Sequence, residues 1–155
     1  SKFTVDDNAL FRHPDIADVD GKRVAVLAPG VTFNQHDVRA VQLAKAAIRT
    51  GIELLLRDRQ LHETAIELVV IAGAFGSYIN VGSAIAIGLL PTLPLDRFRQ
   101  VGNAAGNGVR QMLASRQART RGRELANACR YIELSTRTDF QKTFLHNIGF
   151  KSRPQ

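Results

Sequence analysis

The chain has 155 residues, 45% of them hydrophobic, and a formal net charge of +7; that is enough for one domain with a real core and ordinary for a globular protein. No apolar run approaches the ~20 residues of a membrane span, and Ser1–Asn8 is polar and acidic, without the apolar region of a secretory signal. The lone cysteine, Cys129, excludes an internal disulfide or multi-cysteine metal cluster on this chain; it reads as a buried, inert thiol, and the expected compartment is the cytoplasm.

In chain order, residues 1–31 are the least readable, an ill-defined lead-in. Asp18-Val19-Asp20-Gly21 predicts a turn, Arg23 to Ala28 a strand, and Pro29-Gly30 its end. A long helix follows over Gln35 to Arg59, with Asn34 as N-cap and Asp37 three residues later in a variant of the capping box. At ~100° per residue, Val41, Leu43, Ala44, Ala47, Ile48, Ile52, Leu54 and Leu55 fill more than half its circumference. So wide an apolar arc predicts burial on two sides. Arg39, Gln42, Arg49, Glu53 and Arg57 share the rest. Lys45 falls inside the edge of the apolar arc, as a snorkelling side chain or as a cation held at a pocket.

Glu67 to Ala72 reads as a central strand covered on both faces, because it is apolar and β-branched without alternation. Asn80 to Gly88 is a short helix capped by Asn80, and Pro91 and Pro94 bracket a loop. Phe98 to Val101 is a second strand, followed by a helix over Asn103 to Ser115. A basic helix over Arg116 to Ala128, broken or kinked near Gly122, precedes a third candidate strand at Tyr131 to Leu134. Phe140 to Ile148 closes the series as a helix with Phe140, Phe144, Leu145 and Ile148 as a docking face. This alternation defines an α/β fold with at least partly parallel strands. A single domain over 1–155 is expected, since neither a repeat nor a linker interrupts it.

Charge divides the chain. Residues 1–96 carry 9 Lys and Arg against 11 Asp and Glu, whereas residues 97–155 carry 12 against 3. Arg116, Arg119, Arg121, Arg123 and Arg130 form the densest part. They fit either the solvated face of a helix or a surface for an acidic partner. Without interleaved aromatics or a nucleic-acid motif, nucleic acid is the weaker reading.

Two stretches carry most information: VVIAGAFGSY, Val69 to Tyr78, and VGNAAGNGVRQML, Val101 to Leu113. Each is an apolar run that collapses into small residues and then opens a helix. Gly73 and Gly76, and again Gly102, Gly106 and Gly108 with Ala104 and Ala105, remove side chains where a planar group would lie on the main chain. Two such turns in neighbouring strand–helix units point to one crevice at the carboxyl ends of parallel strands. The surrounding chemistry is sparse. GNAAGNG lacks the Lys-Ser or Lys-Thr of a phosphate loop and is not the dinucleotide fingerprint. The four histidines stand singly without metal-ligand spacing, and no nucleophile arrangement occurs. The residues offer a binding surface rather than a catalytic constellation.

Three strings in order and spacing, DVRAVQLAKAAIRTGIELLL (Asp37–Leu56), IAGAFGSYINVGSAIAIGLLP (Ile71–Pro91) and VGNAAGNGVRQMLAS (Val101–Ser115), closely resemble the C-terminal part of the reductive activators of corrinoid proteins. These are iron–sulfur activases on the actin/sugar-kinase/heat-shock-chaperone ATPase fold. The resemblance covers about residues 32–150 and implies part of one lobe of the actin-like, ribonuclease H-like fold, a central mixed or parallel sheet flanked by helices. By that resemblance Gly73, Ala74, Phe75 and Gly76 belong to the adenosine motif. Gly102, Asn103, Ala104 and Gly106 belong to the second connecting motif, and Gln42 and Lys45 lie on the helix beside base and ribose. The resemblance implies ATP with magnesium and a two-iron two-sulfur cluster in the parent protein, and as partners the upstream lobe of the same chain and a corrinoid protein, a homodimer being left open. The family's phosphate loops and ferredoxin cysteines are missing from this sequence, which looks like a C-terminal piece without ATPase activity of its own. A non-catalytic module docking an acidic or corrinoid partner, and a lobe of a sugar- or acetate-kinase-like enzyme, are the alternatives.

Overall fold

The computed structural model describes residues 16–19 and 21–150. Its first part is an antiparallel meander of β1 (Ile16–Val19), β2 (Lys22–Ala28) and β3 (Val31–Asn34). Gly21 and Gly30, at φ +72° and +76°, supply the left-handed backbone at its two reversals. Only β2 is evident from the sequence. Asp18 and Val19, expected in a turn, lie at the end of β1 and pair with Arg23 and Lys22, while Asp20 lies outside the described residues.

Asn34 ends β3 and starts α1 (Gln35–Asp58). Its Oδ1 accepts from the His36 and Asp37 amides at 2.7 and 3.2 Å, and Asp37 Oδ2 accepts from the Asn34 amide at 2.8 Å. This reciprocal capping box satisfies donors that a helix start otherwise leaves orphaned.

The packing of α1 inverts the expectation of burial on two sides. Val38, Ala46 and Leu54 are buried, but so are Lys45, Arg49 and Thr50, whereas Leu43 and Ile48 are half exposed (50% and 49%) and Leu55 is exposed as well. The reason is the partner helix. α5 (Phe140–His146) meets α1 through Thr143 and its C-cap Asn147. Arg57 Nη1 donates to Thr143 Oγ1 at 3.0 Å, and Asn147 Nδ2 reaches Thr50 Oγ1 and Glu53 Oε2 at 3.4 and 3.3 Å. The inner face of α1 is therefore a mixed one, with Lys45, Arg49 and Thr50 beside Val38, Ala46 and Leu54. The predicted docking face of α5 is only partly used: Phe140 and Phe144 stack with centroids 6.0 Å apart, but Leu145 is exposed.

The remaining elements are β4 (Val69–Ala72), α2 (Val81–Ala86), β5 (Phe98–Gly102), α3 (Ala104–Ala114) and α4 (Arg116–Ala128). β4 and β5 pair in parallel, Val69 opposite Phe98 and Ala72 opposite Gly102. β4 is shorter than expected and not covered on both faces: Leu68, just before it, and Val70, which share one face, are exposed. Tyr131–Leu134 is not a strand. There the Glu133 carboxylate takes the Tyr131 hydroxyl, the Ser135 amide and the Ser135 hydroxyl, a local network that competes with a ladder. Those donors hold the Glu133 carboxyl below its ordinary range, the Ser135 hydroxyl first among them. α4 runs unbroken through Gly122, whose missing side chain makes room for the Met112 methyl of α3. Cys129, expected to be buried, is exposed; it caps the end of α4, a helix that packs chiefly on α3.

Candidate functional site

Parallel pairing brings both glycine turns to the same edge of the β4–β5 sheet. The Gly73 amide donates to Gly102 O at 2.7 Å, extending the ladder one step past the strands. Both residues have positive φ, +95° and +60°, so each turn needs glycine for its conformation. A Cβ placed on Gly73 would meet nothing within 4 Å, so the space over this turn is open. At Gly76 the same space is taken: a Cβ would stand 2.7 Å from Ile71 Cγ2. Gly73 thus opens a surface, and Gly76 allows the turn over 75–77 to close onto β4.

The second turn is shaped by Asn103, the N-cap of α3. Its Oδ1 accepts from the Gly106 amide at 2.9 Å, and Gly106 leaves room for that side chain, since a Cβ there would stand 2.5 Å from Asn103 Nδ2. Ala104 is exposed at the first turn of α3, the positive end of the helix dipole. Gln100 ties the first turn to β5: its Nε2 donates to Gly76 O at 2.6 Å and Ile79 O at 2.9 Å. Sequence reasoning passed over Gln100. Its one signal was a polar residue inside a strand next to a glycine turn.

The structure places Gln42 and Lys45 one turn apart on α1. Gln42 is half-buried. Lys45 is 4% exposed, which rules out snorkelling. Its Nζ donates to Gly149 O at 2.7 Å, lies 5.6 Å from the Phe150 ring centroid, and would stand 3.8 Å from a Cβ on Gly88. Both neighbours follow the carboxyl ends of short helices, α5 and α2, where a cation is favoured. Beside it Arg49, 3% exposed, donates to Glu53 Oε1 at 2.9 Å and pairs with Glu63, while Glu63 Oε1 accepts the Thr92 amide at 2.5 Å. Arg49 Nη1 has no hydrogen-bond partner. This network joins α1 to the 63–65 turn and to the loop before β5.

A parallel strand pair with both carboxyl ends turning on glycine, one turn opening a helix, is the ligand-facing edge common to α/β sheets. Residues 8–154 match the model of the C-terminal domain of RACo, the ASKHA domain, and the chain belongs to this family. It is 42% identical over 120 residues to the corrinoid activation enzyme RamQ of Eubacterium limosum, covering 77% of this chain and 20% of that protein. It superposes on the solved structure of a reductive activator for corrinoid, iron–sulfur protein with a TM-score of 0.76 and 34% identity, over 86% of this chain and 23% of the other. The chain therefore spans about a fifth of the length of these relatives.

Proposed function

We propose that this chain is the adenosine-side part of an ATP-dependent activator that returns a corrinoid protein from Co(II) to Co(I). The observation that carries the reading is the open backbone surface at Gly73, locked beside Gly102 by one hydrogen bond. A side chain would fill that surface, whereas a nucleotide base needs it empty. Gly73, Ala74, Gly102, Asn103 and Ala104 form the contact surface for ATP, with Phe75 in the turn between. Gly76 and Gly106 shape the two turns. Gln42 and Lys45 build the α1 side, Lys45 by holding the segments at Gly88 and Gly149. Nucleotide bound in the whole activator supplies the free energy for an otherwise unfavourable electron transfer to cobalt. The phosphates and the magnesium fall to parts of the activator beyond these residues, and so does the iron–sulfur cluster, since this sequence has a single cysteine.

The test is nucleotide titration by calorimetry of this chain joined to the upstream part of the ATPase fold, with and without Gly73→Ala. The methyl enters open space, so the fold bears only the backbone strain, about 1–2 kcal/mol. The dissociation constant for ATP is expected to rise tenfold or more, and the rate of Co(I) formation at limiting ATP to fall with it. Unchanged affinity in a folded variant would remove Gly73 from the nucleotide surface.

A further inference from the structure

We infer that the α3–α4 hairpin is a docking surface for an acidic protein face, that of the corrinoid protein in the proposed function, on which the choice of partner rests. Of the nine arginines elsewhere among the described residues, four pair with the chain's own carboxylates and Arg97 donates to the Thr64 and Ile66 carbonyls. Arg49 pairs with Glu53 and Glu63, Arg57 with Glu53 and Asp139, Arg130 with Asp58, and Arg137 with Asp58 and Asp139. On the hairpin, residues 104–128, five arginines face one carboxylate, Glu124. Arg119 turns inward and donates to Met112 O at 2.5 Å, closing the carboxyl end of α3. Arg110, Arg116, Arg121 and Arg123 are exposed and form no ion pair among the described residues.

The same hairpin exposes apolar side chains. Leu113 is 78% exposed, Val109 lies one turn before it on the same face of α3, and Leu125 is exposed one turn after Arg121 on α4. Within this chain both helices pack chiefly on each other. Exposed arginines and exposed leucines on one hairpin match the composition of a protein interface, in which Arg is enriched and the centre is apolar. A nucleic-acid backbone would leave the leucines unused, and residues 104–128 contain no aromatic side chain for base stacking. Exposed, unpaired charge of one sign chiefly accelerates encounter with a surface of opposite sign, and salt screens it.

The experiment uses the full activator and its corrinoid protein in stopped-flow association at 20 and 200 mM NaCl. Wild type is expected to associate at least tenfold faster at low salt. Arg116→Glu/Arg123→Glu is expected to lose at least tenfold at low salt, with a weak salt dependence and unchanged ATP affinity and melting temperature. Arg116→Lys/Arg123→Lys should recover most of the rate, and Leu113→Ser should raise the dissociation rate instead. Wild-type association with the reversed variant unchanged overturns the hairpin assignment while leaving the proposed function standing. A melting temperature that drops in the reversed variant overturns it too, because the arginines would then be packed within the activator. No association of wild type overturns both readings, and equal salt-dependent binding of random-sequence duplex DNA overturns the choice of a protein partner.

Discussion

Replacing Gly76 by alanine is the most direct probe of how the first turn is built. The new Cβ would stand 2.7 Å from Ile71 Cγ2, against the roughly 3.5–4.0 Å at which carbon atoms rest. Ile71 is β-branched, so its Cγ2 has little freedom to swing away. The contact must open by about 1 Å through movement of the 75–77 turn, and overpacking of this kind costs about 1–3 kcal/mol. Restricting the unfolded chain returns about 0.4–1 kcal/mol, since Gly76 has no positive φ to forbid alanine. The net loss is about 1–2 kcal/mol, a fall in melting temperature of roughly 3–8 °C for a chain of this size. Ile71→Leu moves the branch from Cβ to Cγ and removes the clash. The double variant should therefore be at least about 1 kcal/mol more stable than the sum of the two single changes. Thermal unfolding followed by circular dichroism decides it. Full stability of Gly76→Ala, or strict additivity with Ile71→Leu, would refute the account of Gly76 as room for Ile71.

Lys45→Met keeps the packed stem but loses a charge-assisted hydrogen bond to Gly149 O. We expect a stability loss of about 1.5–3 kcal/mol, seen as a lower melting temperature; an unchanged temperature with weakened ATP binding in the full activator would instead make Lys45 a ligand contact. Asp139 accepts from Arg137 Nε and Nη2 at 2.9 and 3.2 Å, which holds its carboxyl below the ordinary range. Because the folded value is depressed, this contribution is present above the ordinary carboxylate pKa, about 3.9, and is lost as pH falls through the lower folded value. Asp139→Asn should flatten stability against pH below about pH 4; an acid limb identical to wild type in urea unfolding would count against it.

Local chemistry made much of this fold legible. The Asn34–Asp37 box set the start of α1, Asn80 and Asn103 the starts of α2 and α3, and the two glycine-ended apolar runs gave the parallel pair and its shared edge. What escaped was decided at long range. The buried state of Lys45 depends on Gly149, 104 residues away, and helical periodicity carries no information about such a partner. The same holds for Arg49 and Glu63. The wheel of α1 put the apolar arc inside, whereas α5, through Thr143 and Asn147, draws a mixed face of α1 inward and leaves Leu43, Ile48 and Leu55 exposed. β1 and β3 are four residues each, too short for alternation to stand out from turn chemistry. Gly73 and Gly76 look equivalent in a string of letters; only the position of Ile71 tells them apart.

The buried group of Arg49, Glu53 and Glu63 has an evolutionary consequence. A lineage that loses the arginine first removes the cation that Glu53 and Glu63 share at sites only 17% and 15% exposed, and one that loses Glu63 first leaves the 3% exposed Arg49 with one carboxylate fewer. Each single step costs more than the exchange of the whole set for apolar residues of similar volume. Variation at these positions should then be inherited as a block, with the three residues changing together among descendants or not at all, while the exposed arginines of α4 drift one at a time.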